Sequence, residues 1–359
     1  MRVVISAGGT GGHIYPAISI INKIKEKEPN SKFLYIGTSD RMESEIIPKL
    51  GINYLGIEIK GLKKNIIKSL ESLNLFRKAI KKCRNAISEF KPDIVLGIGG
   101  YVTAPVIYSA KKLGYKTIIH EQNSIPGKSN RFLSRYADIV MVSLPGSMKY
   151  FKHKNIKFTG NPRSEEAQKV KPINKKDLGL SPSKKLVMIV MGSLGSMTIS
   201  RELLEIVPKF SDKKYEVLLV TGNNYYDKFK DIKIPSNVKI VPFLDNMLNI
   251  LHKTDLIITR AGASTISEIT SLAIPSISVP SPYVANNHQY YNAKELVDNN
   301  ASILLEEKDF NSVKLLESID FVLENSVLYK SMQENAKKLC KKDSSEEIYK
   351  LICNIIKRG

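Results

Sequence analysis

The sequence predicts two α/β domains, each built on a doubly wound parallel sheet. Three observations lead to this fold class: short apolar runs alternate with helical segments, glycine-rich turns follow several of the runs, and a polar stretch divides the chain into halves. Continuous apolar strands separated by helices are typical of parallel sheets buried on both faces. The 359 residues suffice for two domains, since a single domain usually holds roughly 100–200 residues.

The predicted strands form two series. The first comprises Arg2–Ser6, Phe33–Gly37, Ile94–Ile98, Thr117–His120, Ile139–Val142 and Ile156–Thr159. The second comprises Lys185–Met191, Tyr215–Thr221, Val238–Val241, Leu256–Thr259, Ser276–Val279 and Ala301–Leu305. Residues 161–183 between them are polar, contain prolines and lack periodicity, which indicates a linker. We therefore predict Rossmann-like domains over residues 1–162 and 163–335, and a C-terminal helix over 336–359 that packs back toward the first domain.

Composition excludes several classes of protein. The net charge of +20 comes mainly from lysine in a chain rich in isoleucine and asparagine, which is typical of an AT-rich genome. Without a recognition-helix motif or a basic tail, no nucleic-acid partner is predicted. Cys83, Cys340 and Cys353 are scattered, which argues against both a disulfide framework and a zinc site. The first residues encode a strand rather than a signal region, so we expect a cytoplasmic location.

A glycine-rich turn, SAGGTGGH over residues 6–13, joins the first strand to a helix. Glycines at such a turn let a backbone approach a ligand and present amides at a helix start, which suits a phosphate. The spacing fits neither a dinucleotide loop, because Ile14 stands at the third glycine, nor a Walker A loop, because His13 follows Gly12. A tight structural turn is the alternative. Similar turns at residues 97–105 and 191–197 favour ligand binding.

A further segment, TRAGASTISEI, spans Thr259–Ile269. A predicted strand ends at Thr259 and Gly262 opens the turn, so the amides of the following helix start could hold a phosphate. Glu268 lies about one and a half turns into that helix, where it could accept hydrogen bonds from ribose hydroxyls. Alternatively, it is an acidic residue that the helix dipole favours near an N-terminus.

The motifs GGTGGHIYPA, GIGGYVTAP, IHEQNSIPG, TGNPR, GSLGS and RAGASTISEI…NNHQYYNA occur in this order between residues 7 and 293. In content, order and overall length the chain resembles the MurG family of bacterial peptidoglycan glycosyltransferases. The resemblance implies a glycosyltransferase-B architecture, with two Rossmann-like domains facing across a cleft. It also implies inverting transfer of N-acetylglucosamine from UDP-N-acetylglucosamine to the C4 hydroxyl of the muramyl sugar of undecaprenyl-linked lipid I, forming lipid II, with no cofactor.

The resemblance also implies which residues bind the substrates. In the C-terminal domain Leu244 contacts uracil through its backbone, and Gln289 reads the sugar hydroxyls. The diphosphate and ribose are bound by Ser193 and by Ala263, Ser264, Thr265, Ile266, Ser267 and Glu268. The sugar end of the donor is contacted by Thr10, Gly11, Gly12 and Asn123.

The sequence departs from the family pattern at a few positions. The loop after the seventh predicted strand begins Met191-Gly192 where the family commonly has two glycines, and His288 stands where some members carry a second glutamine. Arg163 follows Pro162 directly, whereas some members carry this donor-contacting arginine one residue later.

An inverting displacement needs a base for the acceptor hydroxyl and stabilisation of the leaving charge. We predict His13 as the base, because a neutral imidazole is suitably basic near pH 7; alternatively it orders the loop or contacts the acceptor diphosphate. Glu121 is the rival base, or else a carboxylate that positions Asn123 or His120. Tyr101 either hydrogen-bonds the acceptor or packs beside the loop.

No metal ligand is predicted. The chain contains no Asp-x-Asp pair of the kind that holds a metal on the donor diphosphate in many transferases. Helix amides over residues 262–265 and around Ser193 can stabilise the developing charge on UDP instead.

Residues 60–82 mix apolar side chains with lysines. The apolar residues are Ile66, Ile67, Leu70, Leu73, Leu75 and Phe76. A basic amphipathic helix of this kind suits an anionic membrane surface, and an ordinary helix with its apolar face in the core is the alternative. The undecaprenyl-linked acceptor implied by the resemblance favours membrane contact, so we expect a peripheral protein on the cytoplasmic face of the cell membrane.

Two other functions stay open from the residues. A UDP-N-acetylglucosamine 2-epimerase shares the implied architecture, but would need acid/base carboxylates and no acceptor site, which the HEQN segment and the basic helix disfavour. A non-catalytic nucleotide-sugar-binding subunit is disfavoured because both domains, with their glycine loops, occur on one chain.

Overall fold

The computed structural model describes residues 1–59, 66–192, 196–245 and 247–357, without the side chains of residues 66–71. It divides into two compact units, Met1–Arg163 with Asp343–Gly359, and Ser164–Lys342. The first boundary thus falls one residue after the predicted one. The second falls at residue 343, inside the segment predicted as a single C-terminal helix, so residues 336–342 belong to the second unit.

The described part of the first unit is built on a parallel sheet in the order β3-β2-β1-β4-β5-β6-β7. Its strands are β1 (Arg2–Ala7), β2 (Lys32–Thr38), β3 (Asn53–Ile57), β4 (Ile94–Gly99), β5 (Thr117–Glu121), β6 (Ile139–Val142) and β7 (Ile156–Phe158). Its helices include α1 (Gly11–Lys27), α2 (Glu43–Lys49), α3 (Ile66–Phe90), α4 (Thr103–Lys112) and α5 (Lys128–Leu133).

The described part of the second unit repeats this plan, with a parallel sheet in the order β10-β9-β8-β11-β12-β13. The strands are β8 (Leu186–Val190), β9 (Glu216–Val220), β10 (Val238–Val241), β11 (Leu256–Thr259), β12 (Ser276–Ser278) and β13 (Ser302–Leu304). The helices are α6 (Arg163–Lys169), which begins at the boundary, α7 (Met197–Ile206), α8 (Met247–Leu251), α9 (Ala263–Ser271), α10 (His288–Asp298), α11 (Ser312–Glu324) and α12 (Ser326–Leu339).

Short 3-10 helices complete the described elements. They span Pro145–Tyr150, Lys175–Leu178, Val207–Phe210, Tyr226–Phe229, Ala285–Asn287 and Glu307–Asp309.

The prediction of doubly wound parallel sheets is confirmed, with two differences in detail. β3 was not predicted, because asparagine and glycine interrupt its apolar residues and it lies half-buried at the sheet edge beside β2. The predicted linker contains α6, a helix of 7 residues that is too short to show a period. Its apolar Ala167 is buried.

The chain returns to the first unit through α13 (Ser344–Lys357). Ile348 and Ile352 enter the apolar cluster that also holds the buried face of α1. Polar pairs reinforce this packing: Tyr349 donates to Glu28 over 3.0 Å, and Lys27 lies 3.2 Å from Glu346. The C-terminal segment is therefore an integral part of the first unit.

Each sheet contains the point where ligands collect in such folds. The chain order reverses between β1 and β4 in the first unit and between β8 and β11 in the second. Ligands of doubly wound sheets bind beyond the carboxyl ends of the strands at such a reversal. The turns after these four strands are therefore the expected positions of a ligand-binding site.

Candidate active site

The β1–α1 turn is held by contacts to the end of β4. The amide of Gly8 donates to the carbonyl of Gly99 over 3.2 Å. Gly9 has φ +91°, a left-handed conformation that favours glycine. Thr10 precedes α1 with extended backbone, and α1 begins at Gly11. The turn thus brings His13, a half-buried residue of the first helical turn, to the carboxyl edge of the sheet.

Two glycines of the β4–α4 turn make room for this arrangement. A Cβ at Gly99, which has φ +129°, would lie 2.5 Å from Cδ2 of His13. A Cβ at Gly100 would lie 2.4 Å from the carbonyl oxygen of Gly8. These glycines therefore serve the packing of the imidazole and of the neighbouring turn, a role that the sequence did not reveal.

The imidazole of His13 is oriented through Nδ1. This atom lies 3.2 Å from the carbonyl oxygen of Gly8 and 3.3 Å from Oγ1 of Thr10. Because a carbonyl oxygen can only accept, we assign the proton of the neutral ring to Nδ1. The lone pair is then on Nε2, the nitrogen with which the ring can take up a proton.

Glu121, the rival base, is buried and fully engaged at the end of β5. Its Oε1 accepts from the backbone and side-chain nitrogens of Asn123 over 3.0 and 3.1 Å. Its Oε2 accepts from the amide of Gly127 over 3.0 Å and from Nδ2 of Asn130 over 2.9 Å. This geometry favours the alternative in which Glu121 orders its loop and positions Asn123.

His120 is completely buried beside Glu121. Its Nε2 lies 2.9 Å from the carbonyl oxygen of Gly160, and its Nδ1 lies 3.0 Å from Nε2 of Gln122. Burial lowers the pKa of His120 to about 4, so the ring is neutral near pH 7. It anchors the TGNPR segment, which includes Gly160, to the sheet.

Two of the remaining candidate residues of the first unit, Tyr101 and Arg163, each take part in a cation–π pair. The guanidinium of Arg41, which the sequence did not single out, lies 5.6 Å from the ring centre of half-buried Tyr101. Arg163 lies 5.5 Å from the ring centre of Tyr15 on α1, and its amide donates to Asn161 over 3.1 Å. Gly11 and Gly12 lie at the start of α1, and a Cβ at Gly12 would meet nothing closer than 3.7 Å.

In the second unit, α9 begins directly at the carboxyl end of the sheet. Gly262 caps the helix and its carbonyl accepts from the amide of Ile266 over 2.9 Å. The amides of Ala263, Ser264 and Thr265 precede that first helical bond, so they are the groups a helix start offers an anion. The side-chain oxygen of Ser264 is buried and has no hydrogen-bond partner among the described residues.

The later residues of the predicted donor segment are buried on α9. Glu268 is 3% exposed. Ile266 and Ser267 are buried as well, and the hydroxyl of Ser267 donates to the carbonyl of Ala263 over 2.9 Å. A sugar-nucleotide donor can therefore contact Ile266 or Ser267 only through their backbone atoms.

Arg260, which precedes this helix, was missed by the sequence reading. Its side chain is buried, its Nη1 donates to the carbonyl of Val279 over 3.1 Å, and its Nη2 lies 2.5 Å from Oε2 of buried Glu307. Asn292 on α10 donates to the carbonyl of Ala261 over 3.1 Å. These contacts fix the turn that leads into α9.

The other predicted donor residues are spread over the second unit. Leu244 is half-buried and follows β10, the edge strand that β9 and β8 separate from β11. Oε1 of Gln289 accepts from the amide of Ser281 over 2.8 Å at the start of α10. Ser193 lies outside the described residues. His288, which is not among the predicted donor residues and stands where some family members carry a second glutamine, lies with its Nδ1 2.8 Å from the carbonyl oxygen of Ala285.

The basic segment predicted for membrane contact is described only in part. Residues 60–65 and the side chains of residues 66–71, Ile66, Ile67 and Leu70 among them, lie outside the description. In the following turns of α3, Leu73 is 41% exposed, while Leu75 and Phe76 are half-buried. Further along, α3 packs on the sheet through Ala79, Cys83 and Ile87. None of the described helices is both long and apolar enough to cross a membrane.

Comparison with known proteins shows the family. The models of the glycosyltransferase family 28 N-terminal and C-terminal domains match residues 3–142 and 186–348. The UDP-N-acetylglucosamine–N-acetylmuramyl-(pentapeptide) pyrophosphoryl-undecaprenol N-acetylglucosamine transferase of Bacillus cytotoxicus is 43% identical over 364 aligned positions that cover 100% of both chains.

Comparison with solved structures gives the same family and fold. The crystal structure of Acinetobacter baumannii MurG matches with a TM-score of 0.80 at 25% identity, over 98% of this chain and 99% of that chain. A UDP-GlcNAc 2-epimerase from Neisseria meningitidis matches with a TM-score of 0.68 over 99% of this chain and 100% of that chain, at 17% identity, a likeness that extends to the fold alone. The glycosyltransferase-B architecture is thereby confirmed, and the chain belongs to glycosyltransferase family 28 and, within it, to the MurG family of N-acetylglucosaminyltransferases.

Proposed function

We propose that this glycosyltransferase transfers N-acetylglucosamine from UDP-N-acetylglucosamine to the C4 hydroxyl of the muramyl sugar of undecaprenyl-linked lipid I. The geometry of His13 is the observation that carries the proposal, because the reaction needs a base that is neutral near pH 7 and has its lone pair on an oriented nitrogen. The rival epimerase reading needs a free carboxylate, and both oxygens of Glu121 are occupied by N–H donors.

In the proposed mechanism the C4 hydroxyl attacks the anomeric carbon from the face opposite UDP. Nε2 of His13 takes the hydroxyl proton as the new C–O bond forms. The bond from the anomeric carbon to the diphosphate oxygen breaks, and its electron pair leaves with UDP. A single displacement of this kind converts the α-linked donor into a β-linked product.

The donor is assigned to the second unit. The amides of Ala263, Ser264 and Thr265 at the start of α9 stabilise the charge that develops on the diphosphate. Ser193, Leu244, Glu268 and Gln289 are the further donor contacts that we propose. On the first unit, Thr10, Gly11, Gly12, Tyr101, Asn123 and Arg163 are assigned to the acceptor and to the sugar end of the donor.

Because fixed amides supply the positive end of a dipole, we propose that the chemical step needs no metal. Transfer to a soluble lipid I analogue then continues at a substantial rate in saturating EDTA. Complete loss of transfer, restored only by Mg²⁺ or Mn²⁺, would contradict this assignment.

One assay distinguishes the functions. The full chain is mixed with radiolabelled UDP-N-acetylglucosamine and a lipid I analogue, and the products are separated. The proposal predicts labelled disaccharide lipid and an equal amount of UDP. Label in an epimerised sugar nucleotide identifies an epimerase, and binding of the donor without turnover identifies a binding subunit.

We further propose that the protein binds the cytoplasmic face of the cell membrane peripherally through residues 60–82. Exposed Leu73 and the exposed cations Arg77, Lys78, Lys81 and Lys82 of the same helix support this assignment. Leu73→Ser should weaken binding to anionic vesicles roughly fivefold, as for partial loss of one buried leucine. The control is Val313→Ser, which removes a 60% exposed apolar side chain of α11. Equal effects of the two variants would contradict a specific membrane surface.

A further inference from the structure

A buried carboxylate lies beneath the β1–α1 turn. Glu43 is the first residue of α2 and is 0% exposed. Its Oε1 accepts from the amide of Thr38 over 3.2 Å and from the hydroxyl of Thr38 over 2.8 Å. Its Oε2 accepts from the amide of Gly9 over 3.3 Å. A Cβ at Gly8 would lie 2.3 Å from Oε1, so this glycine leaves space for the carboxylate.

The amide of Gly9 and the carbonyl of Gly8 belong to the same peptide group. Its N–H donates to Glu43, and its carbonyl oxygen lies 3.2 Å from Nδ1 of His13. A carboxylate, a peptide group and an imidazole thus form one chain of hydrogen bonds. Hydrogen bonds in such a chain polarise one another, and they are stronger in a buried environment than in water.

We propose that Glu43 is a positioning residue for His13, acting on the imidazole through the peptide group between Gly8 and Gly9. The inference rests on the proposed function, in which His13 takes the acceptor's proton. The carboxylate holds the Gly8 carbonyl toward Nδ1, which keeps the ring proton on that nitrogen and the lone pair on Nε2. It also stabilises the imidazolium that forms when Nε2 accepts a proton.

The surroundings of Glu43 suit a carboxylate, because its two oxygens accept three hydrogen bonds from neutral donors and because it stands at the start of a helix. The titratable groups that face it are Tyr35 on β2 and Tyr54 on β3. Burial and the nearby carboxylate raise the pKa of both phenols, so they stay neutral in the working pH range.

The titratable neighbour of His13 on β5 is His120. Burial lowers the pKa of His120 to about 4, so this ring is uncharged above about pH 5. It therefore does not contribute a second titration in the range where His13 acts as a base. A change in the acid limb of the pH–rate profile can thus be assigned to His13.

Nuclear magnetic resonance of the full chain with ¹⁵N-labelled histidine and glycine tests the relay in the native protein. We expect neutral His13 to carry its proton on Nδ1, and the amide signal of Gly9 to titrate together with His13. The His13→Ala variant identifies the His13 signals among the 5 histidines. A neutral His13 with its proton on Nε2, or a Gly9 amide that does not respond, overturns the proposal.

Glu43→Gln tests the charge. The pKa of His13 should fall by about one pH unit, and the acid limb of kcat/KM should move to lower pH by the same amount, because the base must be unprotonated. We expect kcat to fall by about 10–100-fold, the loss that is typical when a partner that orients a metal-binding histidine is removed. The matched control, Tyr54→Phe, removes a hydroxyl that lies near Glu43 but donates to the carbonyl of Thr38 rather than to the peptide group between Gly8 and Gly9.

The outcomes separate the relay from the proposed function. If folded Glu43→Gln leaves the titration and tautomer of His13 unchanged, the relay is wrong even where activity falls. If the His13 titration moves and the acid limb does not, the relay stands and the assignment of His13 as the base fails. If Glu43→Gln does not fold, the tautomer and the Gly9 titration of the native chain decide.

Discussion

The described sheets of the two units share one order for their first six strands, but the carboxyl edges of the two sheets are built in different ways. In the first unit, the buried carboxylates of Glu43 and Glu121 accept N–H groups from the loops that follow β1 and β5. In the second unit, the buried carboxylate of Glu307 pairs with Arg260, and the edge is formed by the start of α9. One edge thus presents an oriented imidazole, and the other presents helix amides.

This difference corresponds to two chemical demands of glycosyl transfer. Removing a proton needs a group that titrates near neutrality and whose tautomer is fixed, which an imidazole held by hydrogen bonds supplies. Stabilising a leaving diphosphate needs a fixed positive potential, which helix amides supply without titrating. Two copies of one α/β plan can therefore perform complementary tasks through the turns at their strand ends.

The largest effect that would distinguish the units is expected for His13→Ala. Loss of a general base lowers kcat by about 10²–10⁴-fold, while the affinity for UDP should stay nearly unchanged because UDP is assigned to the second unit. Steady-state kinetics and calorimetric titration with UDP measure the two quantities. The control is His153→Ala, a half-buried histidine whose Nε2 contacts the carbonyl of Ala137. A folded His13→Ala enzyme with normal kcat would remove the base from this position.

A second prediction concerns the stability of the first unit at mildly acidic pH. Burial lowers the pKa of His120 from 6.5 to about 4, so between these values the unfolded chain binds a proton that the folded unit does not. Stability should therefore fall by about 3 kcal/mol as the pH drops from 6.5 to 4, with no further loss from this group below pH 4.

Hydrogen exchange of the amides of Thr117–Glu121 measures this local stability, since the two units need not unfold together. His120→Asn, which cannot take up the proton, should flatten the dependence in this window. Protection of β5 that is the same at pH 4 as at pH 6.5 would show that the buried ring is not neutral in the folded unit.

A third prediction tests the donor side. Glu268→Ala removes a charge-assisted hydrogen bond to the ribose and should weaken UDP binding by about 1.5–3 kcal/mol, a factor of roughly 10–150. Calorimetric titration with UDP measures it, with exposed Glu317→Ala on α11 as a control for the lost charge. Equal affinities of the two variants would take Glu268 out of the donor site and leave it as part of the buried face of α9.

Most of the fold could be predicted from the sequence because buried parallel strands are continuous apolar runs, and every described strand except β3 was predicted within a few residues. β3 was not predicted because an edge strand need not be continuously apolar. The role of Glu43 was not predicted for another reason. It lies 34 residues from Gly9 in the sequence, and only the folded sheet brings the two residues together. A sequence motif shows the position of a glycine. Which side chain occupies the space that its missing Cβ leaves, as Glu43 does at Gly8, depends on tertiary packing.

The smallest effect separates the glycines that serve packing from those available to a ligand. In Gly8→Ala the new methyl would lie 2.3 Å from Oε1 of Glu43, which is buried and cannot move freely. Overpacking of this kind costs about 1–3 kcal/mol. In Gly12→Ala nothing lies closer than 3.7 Å, so the free energy of unfolding should be unchanged or should rise by up to about 1 kcal/mol through helix propensity.

Calorimetric melting and steady-state kinetics of the two variants give opposite patterns if this division is right. Gly8→Ala should lower the melting temperature, and kcat should fall with it because the displaced turn carries the peptide that orients His13. Gly12→Ala should keep or raise the melting temperature while KM rises, because the methyl group projects where a substrate approaches the start of α1. A stable Gly8→Ala variant would mean that Glu43 does not need the space. An unchanged KM in Gly12→Ala would mean that α1 meets its substrate elsewhere, leaving Gly12 as an ordinary residue of the first helical turn.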